Sequence, residues 1–174
     1  MRILQLHCDS IEYNPTKKEI RSAEDIKPEP KKIDEVVVAF IAIEQGDDSE
    51  IAQKAITEIM TSMDKVGCKK LLLYPYAHLS SNLAPPNVAL SLLKEMEAAA
   101  SNVDVSHAPF GWTKSYNVKV KGHPLAESSK VFTKEHDEKT GQAHDHSHDH
   151  DDEGQSSEAL KSESKIKSFW YILS

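Results

Sequence analysis

The 174-residue sequence predicts a single α/β domain. Short, strongly apolar runs, which are typical of buried strands, alternate along the chain with segments whose apolar residues recur at helical spacing. This alternation favours one domain built from layers of sheet and helix. A chain of this length can bury a self-sufficient core without disulfides, so its two cysteines need no partner.

Four strands are predicted before residue 125. The first is RILQLHC, followed by DEVVVAFIAIE and KKLLLYP, and the apolar runs in the last two are too continuous for exposed edge strands. The fourth is SYNVKVKG, in which Tyr116, Val118 and Val120 share one face. The proline-containing stretch 14–32 is predicted to be a loop.

Two helices are predicted between these strands. Ser49 is expected to cap the first helix, and Gly67 is expected to stop it. The second helix is expected to follow Pro85 and Pro86. The predicted buried faces are Ile51, Ala55, Ile56, Ile59, Met60 and Met63 in the first helix, and Val88, Leu92, Leu93 and Met96 in the second.

The composition changes sharply at 134–165. This segment has few large apolar side chains and carries most of the net charge of −7, so we expect a disordered acidic, histidine-rich insertion within one domain spanning 1–174. The final KIKSFWYILS returns to a strand pattern. Within the insertion, His144, His146, His148 and His150 indicate a solvated loop, with a Zn²⁺ or Ni²⁺ site as the alternative.

The charge and the motifs exclude several classes of function. Because the acidity is concentrated in the insertion, the remainder is close to neutral, and an RNA partner is not excluded. The dinucleotide, P-loop, G-x-S-x-G hydrolase and H-E-x-x-H motifs are missing from the sequence. Without a signal peptide or an apolar run long enough to span a bilayer, the chain is expected to be cytoplasmic, with no membrane partner.

The candidate chemical residues lie at the ends of the predicted elements. His78 follows a buried strand, where functional side chains often lie, although a loop histidine bonded to backbone is an equal alternative. Lys114 stands between aromatic residues at a strand entrance, and His123 and Glu127 follow in KGHPLAE. Taken alone, Lys114 fits a solvated surface cation better than a catalytic group.

Six segments in fixed order make the pattern specific. LHCDSIEY, VVVAFIAIE, YPYAHLSS, APFGWTKSY, KGHPLAE and SFWYIL resemble the N-terminal editing domain of archaeal-type threonyl-tRNA synthetase, over residues 1 to about 130 and 165–174. The resemblance implies a fold like that of the D-aminoacyl-tRNA deacylases, with two β-sheets packed with helices. It also implies hydrolysis of L-serine wrongly attached to tRNA(Thr), by water attack on the aminoacyl ester assisted by the tRNA 2′-hydroxyl.

The resemblance also assigns site residues. It implies catalytic roles for Lys114, His78 and Glu127 and a substrate-binding role for His123. A serine pocket lined largely by main chain would involve Ile43 beside Glu44, and Pro75, Tyr76 and Ala77 leading to His78. Thr113 stands where the family often has tyrosine, so no role is transferred to it.

Partners and cofactors follow from the same resemblance. It implies a homodimer that binds the seryl acceptor end of tRNA(Thr) and works with the remainder of the synthetase in cis or in trans. No metal or other cofactor is expected for the editing reaction, because zinc and ATP belong to the synthetic part of the enzyme. Two alternatives stay open, a free-standing D-aminoacyl-tRNA deacylase and a non-enzymatic histidine-rich metal-binding or interaction module.

Overall fold

The computed structural model describes residues 1–134. The predicted final strand, the histidine cluster and all but the first residue of the predicted insertion lie outside the described residues. The elements in order are β1 (Arg2–Lys18), β2 (Lys31–Ala42), α1 (Ser49–Val66), β3 (Lys70–Pro75), a 3₁₀ turn (Ala77–Leu79), α2 (Pro86–Ala99), β4 (Asp104–His107), β5 (Trp112–Val120) and β6 (Glu127–Val131). The predicted α/β class is confirmed.

The six described strands form one mixed sheet in the order β4-β3-β2-β1-β5, with β6 also paired to β1. Strands β2, β3 and β4 run parallel, and β1 is antiparallel to β2, β5 and β6. The two expected sheets are thus one continuous sheet within residues 1–134. The reason is the length of β1, whose 17 residues pair with β6 over Arg2–Leu6 and with β5 over Cys8–Lys18.

Both faces of the central strands are buried. Alternate residues of β2 and β3, such as Val37, Ala39 and Leu73, pack with α1 and α2 in one apolar cluster. The residues between them, such as Val38 and Leu72, pack in a second cluster on the opposite face. This double burial explains why the two strands are almost continuously apolar in sequence.

The second apolar cluster is covered by β1 and β5. The β1 residues Ile11 and Tyr13 are buried in it, and Val118 and Val120 of β5 pack against it. The sheet therefore curls back over its own face, as expected of a strongly twisted sheet. The shared face predicted for β5 is confirmed.

The helix boundaries differ slightly from the predicted ones. Asp48, not Ser49, caps α1, because its Oδ1 accepts a hydrogen bond of 3.1 Å from the Ile51 amide. Gly67 ends α1 in the left-handed region, with φ of 67°. Helix α2 begins at Pro86 as predicted. Neither helix in residues 1–134 is long and apolar enough to cross a membrane.

The predicted loop at 14–32 is shorter in the structure, because β1 continues to Lys18. Pro15 is accommodated at a register irregularity between β1 and β5, where a missing amide hydrogen is tolerated. Strands β4 and β6 were not predicted, since DVSH and ESSKV are short and mostly polar. Their pairing with β3 and β1 decides their conformation.

Gly67 offers a test of the α1 terminus. A β-carbon there would meet no atom within 4 Å, so Gly67→Ala adds only the strain of a left-handed alanine. We expect the free energy of unfolding to fall by about 1 kcal/mol in a urea titration. Gly122→Ala is the matched control, because Gly122 also has open space and its φ lies outside the left-handed region. Equal stability of both variants would contradict this account of the helix end.

Candidate functional site

A cavity of about 440 Å³ opens where the parallel strands β2 and β3 end. This is the edge of a parallel sheet at which ligand sites usually form. The walls come from residues 41–43, 74–78 and 110–116, with further contributions from 83–93 and from 19–20 after β1. The exposed wall is mostly apolar, as in small-molecule sites that orient a ligand with few polar groups.

Six of the nine site residues predicted from the sequence line this cavity. They are Ile43, Pro75, Tyr76, Ala77, His78 and Lys114. Of the residues predicted to form a main-chain pocket, Ile43 and the continuous stretch from Pro75 to His78 line the cavity, whereas Glu44 does not. His78 itself is exposed, with its ring centroid 5.3 Å from that of Tyr76.

Lys114 is the central polar group of the cavity. Its ammonium donates hydrogen bonds of 2.8 Å to the Pro109 carbonyl and 2.9 Å to the Trp112 carbonyl, and it lies 5.0 Å from the centroid of the Tyr74 ring. Burial lowers the pKa of Lys114 to about 8, and the carboxylate of Glu24 acts in the opposite direction. Near neutral pH this lysine therefore retains its charge yet titrates within reach of ordinary buffers.

Four aromatic rings form the wall behind this lysine. The ring centroids of Phe40 and Tyr74 lie 4.9 Å apart, and Tyr116 lies within 6 Å of both. The Tyr76 and Tyr116 hydroxyls are 3.3 Å apart. Burial raises the pKa of Tyr74, so its phenol stays neutral beside the ammonium. The rings meet in tilted and edge-to-face contacts and form an aromatic cluster behind the lysine.

Hydrogen bonds hold the backbone of the cavity. The Tyr76 amide donates to the Ile41 carbonyl at 2.8 Å, and the Ala84 amide donates to the Ile43 carbonyl at 2.9 Å. The end of β2 is thereby tied to both neighbouring segments. A pocket whose walls are bonded backbone has a fixed size, because main chain cannot change rotamer as side chains do.

Glu44 lies beside the cavity rather than among its lining residues. Its carboxylate accepts hydrogen bonds from the Ser80 hydroxyl and, at 2.9 Å, from Arg2 Nε. Its backbone forms an isolated antiparallel bridge with Leu83, which does line the cavity. In the described structure Glu44 thus supports the cavity wall from behind.

His123 and Glu127 are also separate from the cavity within the described residues. Glu127 begins β6 opposite Leu6, and Leu6 pairs with Val38, three residues before the cavity wall of β2. His123 Nε2 lies 2.9 Å from His7 Nδ1. The Leu125 amide donates to His123 Nδ1 at 3.3 Å, so Nε2 carries the proton and donates to His7.

Gly111 allows the segment after β1 to close over the cavity. Its φ is 76°, and a β-carbon would lie 2.8 Å from the Cα of Ala23 and from Ile20 Cγ1. Only glycine fits such a contact with backbone. The segment is further fixed by Thr113, whose hydroxyl donates to the Glu19 carboxylate at 2.8 Å.

Sequence reasoning did not assign site roles to several lining residues, among them Glu19, Ile20, Tyr74, Phe110 and Trp112. Phe110 and Trp112 stand in the APFGWTKSY motif, so their place near Lys114 was readable from the sequence. The segment containing Glu19 and Ile20 gave no such signal, because it reaches the cavity only by folding against residues 110–113. Within residues 1–134, no group of three or more His, Cys, Asp or Glu side chains is arranged so that it could hold a metal ion.

Comparisons with known proteins identify the family of the chain. Residues 1–132 match the archaea-specific editing domain of threonyl-tRNA synthetase. Threonine–tRNA ligases align over almost the whole chain. The ligase of Nitrosopumilus maritimus is 63% identical over 100% of this chain. Those of Cenarchaeum symbiosum and Methanosarcina mazei are 51% and 42% identical, each over 99% of this chain. The chain spans only about a quarter of the length of these relatives, 26% of the first two and 28% of the third.

A solved structure shows the same fold. The c-Myc DNA Unwinding Element Binding Protein superposes with a TM-score of 0.55, covering 76% of this chain and 99% of its own, at 10% sequence identity. At that identity the likeness concerns the fold alone. It confirms the predicted α/β fold of the D-aminoacyl-tRNA deacylase type.

The environment of Lys114 predicts its titration. We expect its amino group to lose its proton near pH 8, because burial disfavours the ammonium form. A lysine side-chain NMR titration, with Lys114→Met to assign the resonance, measures this directly. A Lys114 amino group that titrates at the ordinary pKa of lysine would contradict the proposed burial effect.

Proposed function

We propose that this chain, which belongs to the archaea-specific editing domain of threonyl-tRNA synthetase, hydrolyses the ester that joins L-serine to tRNA(Thr). The observation that carries this proposal is the Lys114 ammonium, held by two backbone carbonyls in an apolar cavity at the sheet edge. A fixed positive charge in such a place can stabilise a developing oxyanion more strongly than one in water.

The need for this reaction follows from the small difference between the two amino acids. Serine is threonine without a methyl group, and one methyl contributes only about 1–3 kcal/mol to pocket binding. A synthetic site that accepts threonine therefore also accepts some serine. A second, smaller pocket that admits serine and excludes the methyl group supplies the missing discrimination.

In the proposed step, a water oxygen attacks the carbonyl carbon of the ester. The tRNA 2′-hydroxyl helps to remove the proton from this water, and negative charge develops on the carbonyl oxygen. When the tetrahedral intermediate collapses, the bond to the 3′-oxygen breaks and that oxygen takes up a proton. The products are serine and tRNA with a free acceptor end. An activated ester needs no covalent enzyme intermediate, so positioning and charge stabilisation suffice.

Lys114 is assigned to the oxyanion. An ammonium has three N–H bonds, and the carbonyls of Pro109 and Trp112 accept two of them. The remaining N–H is available to the substrate oxygen. The two carbonyls and the Tyr74 ring also keep the amino group in one position before the substrate arrives.

The pocket for the seryl group is assigned to the backbone at the ends of β2 and β3. Ile43, Pro75, Tyr76 and Ala77 line the cavity there, and the hydrogen bonds made by Tyr76 and Ala84 fix the wall. Fixed backbone supports selection by size, because it leaves the extra methyl group of threonine no room to be accommodated by a side-chain movement.

The remaining site residues receive supporting roles in this proposal. His78, at the cavity and exposed, positions the substrate or the water. Glu44 supports the wall through its backbone bridge with Leu83. Glu127 and His123 lie away from the cavity of the chain itself, so a direct role for them requires the homodimer, which stays part of the proposal together with the remainder of the synthetase and tRNA(Thr). The reaction as written uses no metal or other cofactor.

A panel of three substrates tests the proposed activity. We expect the domain to deacylate seryl-tRNA(Thr), and to deacylate threonyl-tRNA(Thr) at a rate roughly 10- to 200-fold lower. This ratio corresponds to the binding free energy of one methyl group. Release of labelled amino acid over time is the measurement. Turnover of a D-aminoacyl-tRNA in place of the seryl ester would instead indicate the activity of D-aminoacyl-tRNA deacylases. No turnover of any ester would refute an enzymatic role for the domain.

Replacing Lys114 tests the assigned chemistry. Lys114→Met should lower the single-turnover rate constant by about a hundredfold or more, as the loss of an oxyanion-stabilising donor does, with little change in tRNA binding. In the wild type the rate contributed by Lys114 should fall as pH rises through about 8, because the ammonium form is lost. Lys119→Met is the matched control, since Lys119 lies on the same strand and is exposed. A Lys114→Met variant with the full rate would exclude Lys114 from the reaction.

A further inference from the structure

We propose that Glu24, held in place by His107, is a positioning residue for Lys114. This inference rests on the proposed function for its catalytic consequence and on the contacts of Glu24 for its structural basis. Glu24 lies in the segment after β1 that gave no functional signal in the sequence. Its side chain is only 16% exposed, which is unusual for a glutamate and requires compensating hydrogen bonds.

Glu24 is bonded to the β4–β5 loop (residues 108–111) and to the start of β5. Its carboxylate accepts a hydrogen bond of 2.8 Å from the Phe110 amide, and its own amide donates to the Phe110 carbonyl at 3.2 Å. Its carbonyl accepts a hydrogen bond of 2.9 Å from Trp112 Nε1. One residue thus fixes both the backbone of Phe110 and the side chain of Trp112.

These contacts bear directly on the lysine. The two carbonyls that hold the Lys114 ammonium belong to Pro109 and Trp112, the residues on either side of Phe110 and Gly111. A shift of the β4–β5 loop would therefore move one or both acceptors. Glu24 has no hydrogen bond to Lys114 itself, so its effect is exerted through these carbonyls and through its charge.

His107 holds the Glu24 carboxylate from the other side. Its Nε2 lies 3.0 Å from the Glu24 oxygens, and its Nδ1 lies 2.6 Å from Glu97 Oε2. Each ring nitrogen thus faces a carboxylate, and the side chains of Glu97, His107 and Glu24 form a line that runs from α2 to the β4–β5 loop.

The charges around this line favour an ionised Glu24. Burial acts to raise the pKa of Glu24, but the hydrogen bonds from Phe110 and His107 outweigh it, and the pKa is lowered. Lys94 lies 3.9 Å away and acts in the same direction. An ionised Glu24 in turn raises the pKa of Lys114 against the effect of burial. Other titratable groups that line the cavity are Glu19, Tyr74, Tyr76, His78 and Tyr116.

Glu24→Gln tests the proposal, because it retains the shape of the side chain and one acceptor oxygen for the Phe110 amide and removes the charge. We expect the pKa of Lys114, followed by lysine side-chain NMR, to fall below its wild-type value. We also expect the alkaline fall in the rate of seryl-tRNA(Thr) hydrolysis to move to lower pH. The rate constant near pH 8 should be several-fold lower, with KM unchanged, and should recover in more acidic buffer.

Asp25→Asn is the matched control. Asp25 is the next residue, its side chain is 99% exposed, and its salt bridge is to Lys18. This variant should leave the pKa of Lys114 and the pH profile at their wild-type values. If Glu24→Gln does not fold, His107→Gln takes its place. It removes the ring that holds the Glu24 carboxylate in place. We expect the pKa of Lys114 to fall and the rate constant near pH 8 to be several-fold lower, with KM unchanged.

The outcomes separate this inference from the function on which it rests. Folded Glu24→Gln protein with a wild-type Lys114 pKa and pH profile would overturn the positioning role. A rate loss that is equal at every pH, with an unmoved Lys114 pKa, would also overturn it, since that is the result of a general structural defect. The NMR titration needs no substrate, so a shifted Lys114 pKa in a protein that deacylates nothing would refute the proposed function and retain the coupling.

Discussion

The Lys114 amino group lies between two backbone carbonyls and the ring of Tyr74, and its burial lowers its pKa to about 8. An ammonium in this position loses hydration, and the carbonyls of Pro109 and Trp112 replace part of what water supplied. The β4–β5 loop that carries one of these carbonyls must therefore be held firmly. Much of the structure around the cavity can be understood as the support of that loop.

The support begins with β1. Its 17 residues pair along one side with β2 and along the other side first with β6 and then with β5. Because Pro15 pairs with Lys114, this second partner places Lys114 on the curled part of the sheet. The segment that follows β1 returns to the loop through Gly111 and Glu24. Strand β1 thus pairs with β5, which carries Lys114, and continues into the segment that holds the β4–β5 loop in place. A curled sheet brings these parts together, whereas a flat one would leave them apart.

The cavity combines two kinds of rigidity. At the ends of β2 and β3 the wall is backbone, fixed by the hydrogen bonds of Tyr76 and Ala84. Around Lys114 it is aromatic, with four rings in mutual contact. A pocket of bonded backbone suits discrimination by a single methyl group, and a buried cation suits the charge that ester hydrolysis creates. The proposed editing reaction requires both in one place, and the residues 74–78 and 110–116 supply them.

The sequence by itself determined most of the elements and much of the cavity, but not the short strands β4 and β6. Apolar periodicity identified β2, β3, both helices and the inward face of β5, because these patterns record which face of a local element is buried. Fixed-order motifs identified Lys114, His78 and the backbone from Pro75 to Ala77, since the motifs lie at the ends of those elements. The tertiary structure decided the rest. Glu24 contacts Phe110, which is 86 residues away in sequence, and His7 contacts His123, which is 116 residues away. These contacts form only because β1 pairs with β5 and β6, and a local sequence pattern contains no information about such pairing.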